Sequence, residues 1–363
     1  MLQIIKAAIL QAFGEPLVVQ DIKSPQLGTG EVRVRVAAAP GPHYAAEVLS
    51  GERKYLLDLP QAPGAGAVGQ VLETGPDATR LQPGDWVLCD PTVRSRDDAL
   101  TPDITLQGTS ARGEGGLQLQ RYYRHGSFAK EMITPTENVY RLGNIDPSTA
   151  AAWTALNAYL VPYGGLLSIE LQAGETIVIS GATGFYGSTA VAVALAMGAG
   201  TVVAPGRNKR VLQELRDRFG ERVNPVSLTG VEETDIRNIR EAAAGPIDCA
   251  LDILPPSVES KVVRTAIMTV REYGRISLMG GVGMLGGNDL NLPYPWIMRN
   301  SITIKGQWMY QREAPQRIIP LAKSGLLPLD LFSITSFDLD HINEAVRHAA
   351  GEKGAFRLTV VDP

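Results

Sequence analysis

Cysteine is nearly missing from this chain of 363 residues: Cys89 and Cys249 are the only two, far apart and in no paired motif. Neither a disulfide framework nor a cysteine-built zinc site is expected, and both thiols read as small buried hydrophobes. Charge of one sign is not in excess either, since the net charge is −4 with 20% charged residues. Without a basic surplus, nucleic-acid binding is not the expected activity. Long apolar runs are lacking; glycine and charge interrupt each one short of membrane-spanning length, so no membrane partner is expected. The opening run MLQIIKAAILQAFG is broken by Lys6. It reads as strand and turn rather than as a leader, which points to a cytoplasmic protein. Repeats, low-complexity tracts and charge blocks do not occur. What is left is a chain too long for one ordinary core, with the composition of a globular protein of two domains.

The most informative stretch is TIVISGATGFYGSTAVAVALAMGAGTVVAPG, residues 176–206. Thr176 to Ser180 is a β-branched run, and Gly181, Gly184 and Gly187 follow at spacings of three. A small-residue helix then leads to a second β-branched run, Thr201 to Val203. Strand, glycine turn, helix and strand make a dinucleotide-binding βαβ unit. Gly181 takes the tight turn off the strand. Gly184 lets the backbone approach a pyrophosphate at the positive end of the helix, and Gly187 lets the helix lie close on the strand. Ala182, Thr183, Phe185 and Tyr186 complete the turn as coenzyme-binding positions.

The end of the second strand selects the coenzyme. An NAD-binding unit places a carboxylate there for the ribose hydroxyls. This chain reads Ala204, Pro205, Gly206, Arg207, Asn208, Lys209, Arg210. No acid is present and three cations are, so Gly206, Arg207, Asn208 and Arg210 are expected to receive the 2′-phosphate of NADP(H). Beyond it, strand and helix patterns alternate: helix 209–219, strand 222–228, helix 233–243, strand 247–254, helix 256–268, strand 274–281 and strand 301–308. That predicts an α/β fold with a doubly wound six-stranded parallel sheet of order 3-2-1-4-5-6. Residues 1–90 instead read as strands and turns, with a strand pair at Gly64–Gly75, and suggest a small β-barrel. Residues 91–125 read as a polar, irregular loop. A helix is expected over 145–170, capped by Asp146 with Pro147 in its first turn. His125 reads as loop, and His341 and His348 as the surface of a C-terminal amphipathic helix.

LQPGDWV at 81–87, the glycine-rich segment 64–75, GSFAKEMI at 126–133 and the βαβ unit occur in one order. In this the chain resembles the medium-chain dehydrogenase/reductase family along essentially its whole length. The resemblance implies a GroES-like β-barrel catalytic domain over 1–150, completed by 315–363, and a Rossmann NADP-binding domain over 151–314. It places Gly280, Gly281 and Val282 at the nicotinamide ring and Trp153 with Thr154 at the same end of the cleft. From their own positions, Tyr122 in the polar 91–125 segment and Trp308 after the last strand are read as substrate-pocket residues. Trp308 equally follows the strand that pairs across a homodimer in the family.

Zinc members hold their metal with a Cys, a His-Glu pair and a later Cys or Asp. Those positions fall here on Pro42, on Ala65 and Gly66, and near Ala150. Proline, alanine and glycine carry no metal donor, so no metal is expected. Tyr44 stands where zinc relatives carry the Ser or Thr of the proton relay, and a phenol can donate or protonate. Glu47 lies near the far end of that relay and His43 where some relatives contact the pyrophosphate. The expected activity is therefore zinc-independent, NADP(H)-dependent interconversion of an alcohol and a ketone or aldehyde, acting on a small molecule. An enone or quinone reductase is the alternative, because GATGFYG resembles the reductase-type turn. A non-catalytic coenzyme-binding protein is a third.

Overall fold

The computed structural model describes residues 4–98, 100–352 and 354–363. Packing divides the chain into two units. One runs to Asn157 and resumes at Leu329, apart from Gly354–Phe356, and the other spans Ala158–Pro328 with Gly354–Phe356.

In the first unit β1 (Ile4–Ile9) and β2 (Val18–Lys23) pair antiparallel. Then follow β3 (Glu31–Gly41), α1 (Ala45–Leu49), β4 (Ala67–Thr74) and β5 (Trp86–Cys89). The alternation of β3 works as a two-faced strand: Val32, Val34 and Val36 enter the core, while Arg33 turns to Glu73. The segment 64–75 forms one strand, not the expected pair, because β3 and β5 already flank it on both sides. Residues 91–125 are also more built than an irregular loop. β6 (Thr92–Arg94), β7 (Ile104–Leu106) and β8 (Ser110–Arg112) form a small sheet, on which α2 (Gly113–Tyr122) closes. Thr92, Val93, Thr105 and Leu106 are buried there, so a core too small to show as a periodic pattern holds the lobe together. β9 (Glu131–Pro135) pairs with β3, β10 (Val139–Arg141) with β5, and α3 (Ala150–Trp153) follows.

Asp146 caps as expected, its carboxylate accepting from the Ser148 amide at 2.9 Å. The helix it starts is not continuous: a 3₁₀ turn, Pro147–Thr149, precedes α3, and a break at Thr154 precedes α4 (Ala155–Ser168). The second unit continues with β11 (Thr176–Ser180), α5 (Phe185–Ala196), β12 (Thr201–Gly206), α6 (Lys209–Phe219), β13 (Val223–Ser227) and α7 (Glu232–Ala243). Next come β14 (Cys249–Asp252), α8 (Ser260–Ile267), β15 (Arg275–Leu278), α9 (Tyr294–Arg299), β16 (Thr303–Gly306) and α10 (Ala314–Lys323). The strands lie parallel in the order β13-β12-β11-β14-β15-β16, which is the 3-2-1-4-5-6 read from the alternation. α5 has no polar face and ten of its twelve residues are buried, as a helix laid on the central strands must be. α9 was not legible in advance: six residues of Tyr, Pro and Trp carry too short a period.

β17 (Ser333–Asp338), α11 (Ile342–Gly351) and β18 (Arg357–Asp362) return to the first unit, where β18 joins β3. The return begins at Leu329, later than the expected 315, since α10 with its buried Ala314, Ile318 and Ile319 belongs to the second unit. Cys89 and Cys249 are both buried and free, and burial pushes each thiol up to about 12.

Candidate active site

The glycine turn lies between β11 and α5. Gly181 adopts φ +88°, and Gly184 caps the helix in an extended conformation. A Cβ on Gly187 would sit 1.8 Å from the Gly181 carbonyl oxygen, so glycine alone permits this approach of helix to strand. Ala182 and Phe185 bury their side chains, the Phe185 ring standing edge-on to Tyr186 at 5.1 Å. These positions therefore offer main-chain amides to a ligand, not side chains. The amides and the N-terminus of α5 together form an anion cradle.

At the end of β12, Gly206, Arg207, Asn208 and Arg210 have different surroundings. Gly206 is buried and Arg207 is exposed; among the described residues Arg207 and Lys209 make no ion pair. Asn208 uses its side chain to cap α6, accepting from the Val211 amide at 3.2 Å. Arg210 is paired with Glu214 one helical turn on. Two cations thus remain available where an NAD site carries an acid, and they are Arg207 and Lys209 rather than Arg207 and Arg210.

The turn after β15 is docked on the end of β14. The Met279 amide donates to the Asp252 carbonyl at 3.0 Å and the Gly281 amide to the Leu254 carbonyl at 2.8 Å. Val282 packs half-buried on the sheet core. Asp252 itself escaped the reading of the sequence. The residue is 5% exposed, and its carboxylate accepts from the Leu254 and Gly280 amides and the Ser180 hydroxyl. Burial pushes it up to about 7 against those hydrogen bonds. The signal available was an acid at the carboxyl end of an otherwise apolar strand run.

In the first unit His43 and Tyr44 precede α1, their rings edge-to-face at 5.3 Å. The Arg53 guanidinium lies over the Tyr44 ring, 4.6 Å from its centroid, and its Nε donates to Glu47 at 2.9 Å. Burial opposes the Arg53 charge, yet Tyr55 and Glu47 hold its pKa above the ordinary value. Glu47 is therefore committed to Arg53 and is not the open end of a proton relay. Arg53 is a site residue that the sequence did not reveal, because nothing local ties position 53 to position 44. Thr154 does not face a coenzyme with its side chain either: it is fully buried and its hydroxyl donates to the Ala151 carbonyl at 2.6 Å. Trp153 stays half-buried. Tyr122 is 67% exposed with its hydroxyl on Glu31, and Trp308 is 43% exposed.

The residues at the metal positions do not fit zinc. Pro42, Ala65, Gly66 and Ala150 carry no donor atom, and among the described residues no three His, Cys, Asp or Glu side chains gather around one point. The Asn157 Oδ1 lies 2.4 Å from where a Cβ on residue 66 would be, so the amide occupies the room of a side chain there. A separate cavity of about 180 Å³ is lined by Glu31, Arg33, Tyr122, Tyr123, His125 and Glu131. Its buried charges are mutually engaged, Glu31 with the Gly28 amide and Tyr122, Arg33 with Ser24, Glu73 and the Pro25 carbonyl. His125 lies in a loop, as expected, but half-buried: it accepts from the Ala62 amide, and burial with Arg124 pushes it down to about 4.

A doubly wound sheet with this cradle, joined to a GroES-like unit, defines a nicotinamide-coenzyme oxidoreductase of the alcohol dehydrogenase type. The alcohol dehydrogenase GroES-like domain matches residues 28–144 and the zinc-binding dehydrogenase domain residues 187–324, together well over half of the chain. The chain belongs to the medium-chain dehydrogenase/reductase superfamily. It is 28% identical to an alcohol dehydrogenase of Rhizobium meliloti over 88% of each chain. It is 25% identical to an alcohol dehydrogenase of Geobacillus stearothermophilus over 98% of each. A cobalt- and zinc-bound thermostable alcohol dehydrogenase from Pyrobaculum aerophilum shares the fold, with TM-score 0.76 and 19% identity over 99% of this chain and 100% of that one. No helix among the described residues is long and apolar enough to cross a membrane.

Proposed function

We propose that this chain interconverts a small-molecule alcohol and its ketone or aldehyde by hydride transfer with NADP(H), without zinc, as a cytoplasmic homodimer. The observation that carries the reading is Tyr44 held under Arg53, two residues beyond a Pro42 that offers no metal donor. The bound coenzyme supplies the hydride. The α5 N-terminus and the amides of the Gly181–Gly187 turn, apart from the Gly184 amide that donates to the Gly181 carbonyl, take the pyrophosphate, and Arg207 with Lys209 takes the 2′-phosphate. Charge developing on the carbonyl oxygen needs a donor, and the Tyr44 hydroxyl provides it. A guanidinium over the ring face stabilises the phenolate that forms, and Glu47 keeps the guanidinium there. For the dimer, edge strand β16 is largely exposed, and Tyr294, Met298 and Trp308 of the same unit are 73%, 57% and 43% exposed.

The test is a panel of an aromatic alcohol, its ketone, an enone and an ortho-quinone, each with both coenzymes. Turnover of the alcohol–ketone pair with an NADP(H) preference is expected, with zinc well below stoichiometric by metal analysis and a dimer by sedimentation. Turnover of only the enone or quinone would replace the carbonyl reading. Tight coenzyme binding with no turnover would favour a non-catalytic protein, and stoichiometric zinc would overturn the metal-free part.

A further inference from the structure

Asp252 is a buried acid of the second unit that the proposed chemistry has not used. It ends β14, the strand beside β11, and those two strands flank the point at which the strand order reverses. Ligands of doubly wound sheets lie in the crevice outside the carboxyl ends of the strands there. Asp252 stands opposite Ser180 of β11 on one side and opposite Leu278 of β15 on the other. Ser180 immediately precedes the Gly181 turn, and Gly280 opens the turn expected at the nicotinamide ring. The carboxylate accepts from both, and from the Leu254 amide, so one side chain ties the two coenzyme turns together. The fit is close: a Cβ on Gly280 would lie 2.3 Å from Asp252 Oδ2.

Among the described residues no cation answers this carboxylate. The groups that act on it from β11, from its own segment and from the turn after β15 are the Ser180 hydroxyl and the Leu254 and Gly280 amides, and none of these is charged or titrates near neutrality. A buried acid without a counter-charge is divided between its neutral and ionised forms near neutral pH, here about 7. The coenzyme brings the missing charge in only one of its forms: the oxidised nicotinamide ring is a cation and the reduced ring is neutral.

We propose that Asp252 is a positioning residue for the nicotinamide end of the coenzyme, and that the oxidised coenzyme binds with loss of the Asp252 proton while the reduced coenzyme binds without changing its protonation. Only the O–H bond of the carboxyl breaks, and the proton goes to solvent. The inference rests on the coenzyme cradle described above, not on the preference for NADP(H). It makes the choice between oxidised and reduced coenzyme depend on pH at a residue outside the proton-donor cluster of Tyr44.

The experiment measures Kd for the oxidised and the reduced form of whichever coenzyme binds more tightly, from pH 5.5 to 8.5, in the wild-type protein and in Asp252→Asn. Titration of a 2′-phosphate is common to both forms and cancels in the ratio of the two Kd values. In the wild type the ratio of oxidised to reduced Kd is expected to fall as pH rises toward about 7, by up to ~10-fold per pH unit, and then to level. In Asp252→Asn it is expected to be flat. A merely structural Asp252 would weaken both forms together and leave the ratio without pH dependence. Calorimetry on the wild type at pH 6 in two buffers of different ionisation enthalpy reads the released proton directly, so the outcome does not depend on the variant folding. Binding of both forms with no released proton and a flat ratio would overturn this inference alone. No binding of either coenzyme would overturn the functional reading and this inference with it.

Discussion

Gly187→Ala tests whether the close approach of α5 to β11 builds the coenzyme cradle. The added Cβ would meet backbone on every side it faces: the Gly181 oxygen at 1.8 Å, the Gly181 carbonyl carbon at 2.4 Å and the Ala182 amide nitrogen at 2.8 Å. None of these atoms is the end of a flexible side chain. Ordinary contact between heavy atoms is reached only near 3.5 Å, so the first turn of α5 must retreat by roughly 1 Å or more. Overpacking of this kind costs about 1–3 kcal/mol of stability, which in a unit of this size lowers Tm by about 2–4 °C per kcal/mol. The retreat also moves the amides and the helix end away from the pyrophosphate. Coenzyme affinity is expected to drop by ~10- to 100-fold, about 1.4–2.8 kcal/mol. Fluorescence titration with NADPH gives the affinity, and circular-dichroism melting gives Tm. Gly245→Ala is the control, because nothing lies within 4 Å of a Cβ there. The reasoning is refuted if Gly187→Ala binds NADPH within threefold of the wild type while the control behaves normally.

Arg207→Ser is expected to weaken NADPH by about tenfold and leave NADH nearly unchanged, since one charge-assisted contact to the 2′-phosphate is lost; equal losses for both coenzymes would place Arg207 outside the site. Tyr44→Phe is expected to lower kcat by ~10²-fold or more if the phenol is the general acid, and a loss below about threefold would leave only a packing role. Arg53→Met should move the alkaline limb of the kcat profile upward, because the phenolate loses the cation over its ring. His125 is neutral in the fold, with its pKa pushed from 6.5 down to about 4. The unfolded chain binds the extra proton between those values, so stability is complete above about 6.5 and declines as pH falls toward 4. Urea midpoints across that range check this, and His125→Gln should remove part of the slope.

Whatever depends on neighbours in the chain is legible in the sequence. The β-branched runs around Gly181, Gly184 and Gly187 dictate strand, turn and helix locally, and the alternation after them pointed to the doubly wound order that the sheet has. The Asp146 cap needs only the amide two residues on. The missing metal donors at 42, 65, 66 and 150 are a matter of residue identity. Other features are decided by residues far apart in sequence, and local pattern carries no trace of them. The lobe at 91–125 owes its small core to strands that pair only once folded. Glu47 looked like a relay carboxylate until Arg53 was seen folded back on it and over Tyr44. Thr154 looked available until its hydroxyl turned to Ala151. Asp252 looked like one polar letter in an apolar strand, and packing made it a buried acid shared by two turns about 100 residues apart from one another in the chain. Propensity and spacing set the elements of this protein; desolvation and long-range hydrogen bonding, which exist only in the packed state, set the chemistry of its side chains.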